Sequence, residues 1–219
     1  MKIIVFGATG DVGRKVVDAA LARGHQITAL GRSESKLATL PSKAQTICTD
    51  LLLAEHSIAG SVAGHDMIIS ALRPDEGQES LLVTLTEKVL QVSLATGVPV
   101  IVTGGAALLK LADSSGHTVL SAPDFLPDAV RPVAEACAKQ DALLENSSEV
   151  AWTCLRPPAM LLPDQRSAEY AFGTDTLVTD AAGDSQISYT DFAAAMLDVA
   201  QNRHGFARRI TVGWIDPAP

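Results

Sequence analysis

The residues best suited to chemistry lie near the amino terminus, in the run Gly7-Ala8-Thr9-Gly10-Asp11-Val12-Gly13. An apolar run at residues 2–6 precedes it and an amphipathic pattern at 11–23 follows, so it joins a predicted strand to a predicted helix. A side chain at Gly7 or Gly10 would collide with the tight turn or a bound pyrophosphate, and Gly13 would let the helix pack closely on the strand. The N–H groups and positive dipole end of such a helix favour phosphate. The predicted cofactor-binding residues here are Gly7, Thr9, Gly10, Asp11, Val12 and Gly13.

The end of the second predicted strand, at residues 26–30, indicates which dinucleotide is bound. Gly31-Arg32-Ser33 follows it, with no acidic residue to hold a ribose 2′-hydroxyl. The planar guanidinium of Arg32 suits a 2′-phosphate because it can donate to two oxygens at once. Arg14, in the first helix, could add a second guanidinium, and the alternative for both is a solvated surface arginine. The pattern favours NADP(H) over NAD(H).

Apolar runs and helical patterns alternate through the first half of the chain, which is typical of βαβ units. Further strands are predicted at 44–48, 66–70, 100–103, 151–155 and 209–212, and further helices from Ser33 and at 78–96, 133–146 and 191–201. Periodicity fades between 104 and 132, and loops of that length are usually functional or mobile. We predict one α/β domain over 1–219, a Rossmann-type doubly wound parallel sheet with residues 157–190 contributing a small C-terminal substrate-side lobe.

Composition narrows the function classes. The 219 residues are 47% hydrophobic and 19% charged, with a net charge of −8, which disfavours a nucleic-acid partner. The three cysteines are far apart, and the histidines lack metal-ligand spacing, so no metal site is predicted. Neither a signal peptide nor a membrane-spanning apolar run is visible, and we expect a cytoplasmic protein. The oligomeric state is left open.

Further motifs join these in a recognisable series. They are Asp50 after the third strand, Ser70-Ala71-Leu72 after the fourth, Thr103-Gly104-Gly105-Ala106, Leu155-Arg156-Pro157 and the run 183–193. Over essentially its whole length the chain resembles an atypical short-chain dehydrogenase/reductase of the NAD(P)H-binding, NmrA-like group, particularly NADH-flavin and biliverdin/flavin reductases. The resemblance implies that Asp50 and Leu51 lie near adenine, that Ser70, Ala71 and Leu72 line the cofactor, and that Pro157 to Met160 flank the nicotinamide.

One departure from that superfamily bears on mechanism. Its tyrosine-dependent members use a Tyr-x-x-x-Lys pair, but counting back from Lys139 the tyrosine position holds Glu135. Tyr170 and Tyr189 lie in other parts of the sequence. Lys139 could still contact the nicotinamide ribose or could be an exposed helix residue. Thr103 takes the place of the catalytic serine or threonine and is our catalytic candidate, although its hydroxyl could instead satisfy a strand-end backbone group.

The sequence therefore predicts a reductase that passes hydride from NAD(P)H to a flat acceptor such as a flavin or quinone. Residues 107–126 and 161–172 could form the acceptor pocket, with Phe125 or Phe172 for stacking, although both could be core residues. The alternative is a non-catalytic NADP(H) sensor that regulates a partner, which the missing tyrosine favours. A nucleotide-sugar epimerase or dehydratase is disfavoured, since it needs that tyrosine.

Overall fold

The computed structural model describes residues 1–53, 58–113, 115–163, 168–202 and 208–216. The strands in these ranges are β1 (Lys2–Phe6), β2 (Gln26–Gly31), β3 (Gln45–Cys48), β4 (Met67–Ser70), β5 (Val100–Thr103), β6 (Trp152–Arg156), β7 (Met160–Leu162), β8 (Tyr170–Gly173), β9 (Gln186–Ser188) and β10 (Arg209–Trp214). The helices are α1 (Asp11–Ala22), α2 (Glu34–Leu37), α3 (Ile58–Val62), α4 (Leu81–Thr96), α5 (Arg131–Glu145) and α6 (Tyr189–Gln201), and a 3₁₀ turn at Asp128–Val130 leads into α5.

Among the described residues, eight strands form one sheet in the order β3-β2-β1-β4-β5-β6-β10-β8. All neighbours pair in parallel except β8, which runs antiparallel to β10. The first six strands have the order of a Rossmann sheet. The order in which successive strands are added reverses between β1 and β4, while all six strands remain parallel. Ligands bind at the carboxyl ends of the strands near such a reversal. The predicted Rossmann-type fold is confirmed.

Burial of both faces of the sheet explains the apolar strand sequences. In β1, Ile3 and Val5 point into the core beneath α1 and α6, whereas Ile4 and Phe6 point into the core beneath α3, α4 and α5. All four are fully buried. Alternate strand residues face opposite sides, so a strand covered by helices on both sides must be apolar throughout.

The region after β6 is divided between two sheets. β7 and β9 form a separate parallel pair. β8, which lies between them in sequence, is the edge strand of the main sheet and pairs with β10. β7, β8 and α3 were not predicted, because elements of three to five residues show too little periodicity, whereas β9 lies in the run 183–193, which the resemblance implies to be a strand–helix junction. The predicted loop at 104–132 is ordered around a small apolar cluster of Leu109, Val119 and Leu177.

Candidate functional site

A cleft of about 620 Å³ runs along the carboxyl edge of the main sheet. It extends from the glycine turn after β1, past the ends of β2, β4 and β5, to the segment between β6 and β9. Most of the predicted site residues line it: Gly7, Thr9, Gly10, Asp11, Val12, Arg32, Asp50, Leu51, Ala71, Leu72, Thr103 and Pro157. The structure therefore brings residues from the ends of six strands, β1 to β6, to one surface.

Close backbone packing requires two of the three glycines. Gly7 has φ +76°, and a Cβ atom there would lie 2.7 Å from the carbonyl oxygen of Ala71. At Gly13, a Cβ atom would lie 2.1 Å from the carbonyl oxygen of Gly7. Gly13 does not line the cleft and acts by letting α1 pack on the turn. The predicted collision of a Gly10 side chain with the turn is wrong, because a Cβ atom there would lie 3.4 Å from the carbonyl oxygen of Gly7, an ordinary contact. The turn itself thus tolerates a side chain at Gly10.

The N-terminus of α1 opens into the cleft. Its N-cap is Gly10, and no side chain caps the helix within the described part of the chain. The first N–H groups of a helix have no intrahelical partner, so those of the Asp11–Gly13 turn are available to a ligand. Together with the positive end of the helix dipole, they fit a pyrophosphate.

Cationic side chains lie beside the end of β2. Arg32 lines the cleft and pairs with Asp75 at 3.2 Å, with more than half of its side chain exposed. Lys36, which was not among the predicted site residues, lines the same part of the cleft from α2. Arg14 does not line it, because its guanidinium donates to Thr39 Oγ1 at 2.9 Å and is held against the end of α2. The second predicted guanidinium therefore lies outside the cleft.

The candidate catalytic residue, Thr103, ends β5 on the cleft floor. Its hydroxyl makes one weak contact, with Met196 Sδ at 3.8 Å, and its backbone oxygen accepts from Gln140 Nε2 at 3.4 Å. Thr103 therefore keeps its hydroxyl largely available to a ligand. Ser70 is buried at the end of β4 and does not line the cleft. Lys139 is exposed on α5 and lies outside the lining, because neighbouring Gln140 occupies the inward-facing position.

The two predicted stacking residues do not reach the cleft. Phe172 packs edge-on against Tyr170, with ring centroids 6.0 Å apart, and lies against the main core. Phe125 is exposed and is not part of the lining. Leu126, next to Phe125 in the sequence, lines the cleft instead, as do Leu161 and Leu162 of β7. The structure therefore contradicts the stacking roles of Phe125 and Phe172, whereas residues 114 and 164–167 of the two predicted pocket segments lie outside the described residues.

Tyr189 lines the cleft although its sequence position gave no such indication. It is the first residue of α6, which packs against α1 and runs parallel to it, since Arg23 near the end of α1 pairs with Asp198 near the end of α6. Both helix N-termini therefore face the cleft. A cap signal was available in the sequence, because Ser188 Oγ accepts from the Asp191 N–H at 3.0 Å and fixes where α6 begins.

Cys137 lies in the part of the cleft that α5 lines. This half-buried thiol lies on α5 and lines the cleft. Burial raises the pKa of Cys137 to about 11, against the lowering effect of the Arg73 charge. Arg73 also lines the cleft, from the loop after β4. The Cys137 thiol is therefore neutral at pH 7, as an unperturbed cysteine also is, and it stays neutral to higher pH.

These features define a Rossmann-type protein with a cleft shaped for a dinucleotide. The chain belongs to the NAD(P)H-binding family, whose model matches residues 7–203. It is 29% identical over 218 residues, 97% of this chain and 98% of the relative, to the uncharacterised protein YwnB of Bacillus subtilis (strain 168).

Two solved structures are similar over nearly their full length. One is from Streptococcus pneumoniae and is provisionally named an NADH-flavin reductase; it is 28% identical, with a TM-score of 0.85, over 98% of this chain and 99% of that one. The other is from Burkholderia pseudomallei and is provisionally named an exported protein; it is 31% identical, with a TM-score of 0.85, over 98% of this chain and all of that one. No helix in the described part of this chain is long and apolar enough to cross a membrane.

Proposed function

We propose that this protein is a cytoplasmic NADPH-dependent reductase that transfers hydride to a flat flavin-like or quinone-like acceptor. One observation carries the proposal: a single cleft joins the glycine turn and the open N-terminus of α1 to an apolar region beyond Thr103. A dinucleotide lying along the strand ends would place its reactive end beside that region. The name of the similar Streptococcus pneumoniae protein agrees with such an activity.

The residues present fit a dinucleotide. Gly7 and the N–H groups of Asp11 and Val12 would hold the pyrophosphate, and Asp50 and Leu51 would lie against adenine. Ala71 and Leu72, which follow β4, would contact the cofactor. Pro157 would border the nicotinamide. Ser70 and Lys139 are not given contact roles, because they lie outside the cleft lining.

The cations beside β2 support NADP(H) over NAD(H). Arg32 and Lys36 line the cleft close to the end of β2, where a 2′-phosphate would lie. The pair between Arg32 and Asp75 is largely exposed and therefore weak, so Arg32 can exchange it for phosphate at little cost. A charge-assisted bond to phosphate is stronger than one to a neutral group.

Hydride transfer needs alignment of donor and acceptor more than it needs a strong acid. When bound, NADPH supplies the hydride, and the acceptor takes one proton from water to complete its reduction. Thr103 would orient the acceptor carbonyl or the carboxamide through its hydroxyl. The protein lowers the barrier mainly by holding the two rings in contact. The absence of a Tyr-x-x-x-Lys pair is compatible with acceptors whose rings delocalise the added charge.

Calorimetric titration with NADPH and NADH, followed by NADPH oxidation with a quinone and FMN, tests the proposal. Arg32→Ala should weaken NADPH binding about tenfold and leave NADH binding nearly unchanged, because it removes one charged hydrogen-bond donor. Lys43→Ala, which removes an exposed cation outside the cleft, is the matched control. Oxidation that depends on the acceptor supports a reductase. Tight binding without oxidation would favour an NADP(H) sensor, and lack of binding would contradict both.

A further inference from the structure

We infer that the acceptor site is built for an uncharged planar molecule, a quinone or an unphosphorylated flavin, and that it makes no contact with a phosphate group. The inference rests on the proposed reductase function and identifies its substrate class. It depends on how charge is distributed along the cleft.

All charged side chains that line the cleft in the described residues come from the amino-terminal part of the chain. They are Asp11, Arg32, Lys36, Asp50, Arg73 and Asp75. The lining that follows Thr103 in the sequence comes from residues 104–137, the segment 157–162 and Tyr189, which we call the acceptor wall. Among the residues that the structure describes, no cleft-lining residue of the acceptor wall is charged. The polar side-chain groups on it are the Cys137 thiol, which remains neutral, and the Tyr189 hydroxyl.

The acceptor wall also leaves apolar side chains uncovered. Val130 is 41% exposed and Met160 is 49% exposed, and both line the cleft. Covering this apolar surface with an apolar ring is favourable, because it removes both surfaces from water. Chain segments on both sides supply such surface, since Val133 lies on α5 and Leu161 on β7. Both segments therefore offer apolar contacts to a ring system bound in this part of the cleft.

A phosphate group would find no cationic side chain among the described residues of this wall, whose polar side chains are those of Cys137 and Tyr189. A charged group removed from water without a counter-charge is strongly disfavoured. Arg73 is the cation whose field reaches the acceptor wall, because it opposes the rise in the pKa of Cys137. However, Arg73 is exposed and belongs to the charged part of the cleft. The phosphate of FMN should consequently remain in solvent and contribute nothing to affinity.

The direct test compares the binding of riboflavin and FMN to the full-length protein saturated with NADP⁺, by calorimetry or quenching of flavin fluorescence. The two dissociation constants should agree within about threefold, because the phosphate is the main difference between the ligands. FMN binding tenfold or more tightly would reveal a phosphate contact and overturn the inference. Failure of both flavins and of a neutral naphthoquinone to bind would also overturn it.

A charge introduced into the acceptor wall gives a second test. Met160→Lys places an ammonium group on the wall and should tighten FMN binding relative to riboflavin by about tenfold. Leu94→Lys adds the same charge to an exposed position of α4 outside the cleft and should leave the ratio unchanged. An unchanged ratio in Met160→Lys would show that the flavin does not bind along the acceptor wall.

Turnover distinguishes failure of the inference from failure of the proposed function. If riboflavin and quinone bind as expected but no acceptor oxidises NADPH, the protein has the uncharged ligand site and is not a reductase. If NADPH is oxidised and FMN is preferred at least tenfold in kcat/KM, the protein is a reductase and the inference is wrong.

Discussion

Replacing Gly13 with alanine should destabilise the protein and abolish dinucleotide binding through a single methyl group. The added Cβ would lie 2.1 Å from the carbonyl oxygen of Gly7 and 2.8 Å from its carbonyl carbon. Both atoms belong to the backbone, so no side-chain rotation can relieve the contact. Either α1 must move away from β1 or the turn at Gly7 must change shape.

The size of the effect follows from two opposing contributions. Overpacking of a well-packed site typically costs 1–3 kcal/mol, and contact with rigid backbone puts Gly13→Ala near the upper end, at about 3 kcal/mol. Alanine is favoured over glycine within a helix by about 1 kcal/mol. The net loss of unfolding free energy is therefore about 2 kcal/mol, which corresponds to a fall in Tm of roughly 4–8 °C for a chain of this length.

Thermal unfolding and NADPH calorimetry measure both consequences. Gly60→Ala is the matched control, since Gly60 is also helical but has open space around its Cβ position. That variant should raise Tm slightly, by roughly 1–4 °C, and keep full affinity. If Gly13→Ala had the Tm of the original protein and bound NADPH within threefold of its affinity, the close approach of α1 to the turn would not be needed.

Three further outcomes are expected. Iodoacetamide should modify exposed Cys48 first, while the rate at Cys137, followed by mass spectrometry, should keep rising through pH 10 because burial raises its pKa to about 11; a plateau near pH 9 would contradict this. Trp214→Phe should lower Tm by roughly 4–8 °C, since it removes the indole N–H that donates to the buried Asp191 carboxylate at 2.7 Å, at a cost of about 2 kcal/mol; an unchanged Tm would refute that role. Thr103→Val should reduce kcat while leaving NADPH affinity within threefold, and an equal loss in both would indicate a structural role instead.

The sequence predicted the elements that carry strong periodic patterns. The strand at 2–6 and the helix that follows it have the predicted start, because a continuous apolar run, a glycine turn and an amphipathic stripe are all local signals. The observed ends of helices and strands differ from the predicted ones where the local sequence pattern was weak. Residues 78–80 were assigned to α4, which begins at Leu81, and the last strand continues to Trp214 rather than ending at 212.

The functional site was most predictable where its residues directly follow a strand. There each contact follows directly from a strand end, so residue order gives position, as with Arg32 after β2 and Asp50 after β3. Lys139 was assigned by its spacing within a motif whose tyrosine is missing, and the structure shows that Gln140 faces inward instead. Tyr189 reaches the cleft because α6 packs alongside α1, a relation between helices more than 160 residues apart that no local pattern reveals.

The uncharged acceptor wall illustrates the limit of sequence reasoning most clearly. Residues 104–137 carry six charged side chains in the sequence, which alone would suggest a polar surface. None of the six lines the cleft. The packing of Leu109 and Val119 against Leu177 fixes which residues of the 104–132 segment face inward, because burying these three apolar side chains together constrains the path of the chain. The substrate preference that we infer is therefore a property of the folded loop and not of its composition, and the matched lysine variants of Met160 and Leu94 test it at that level.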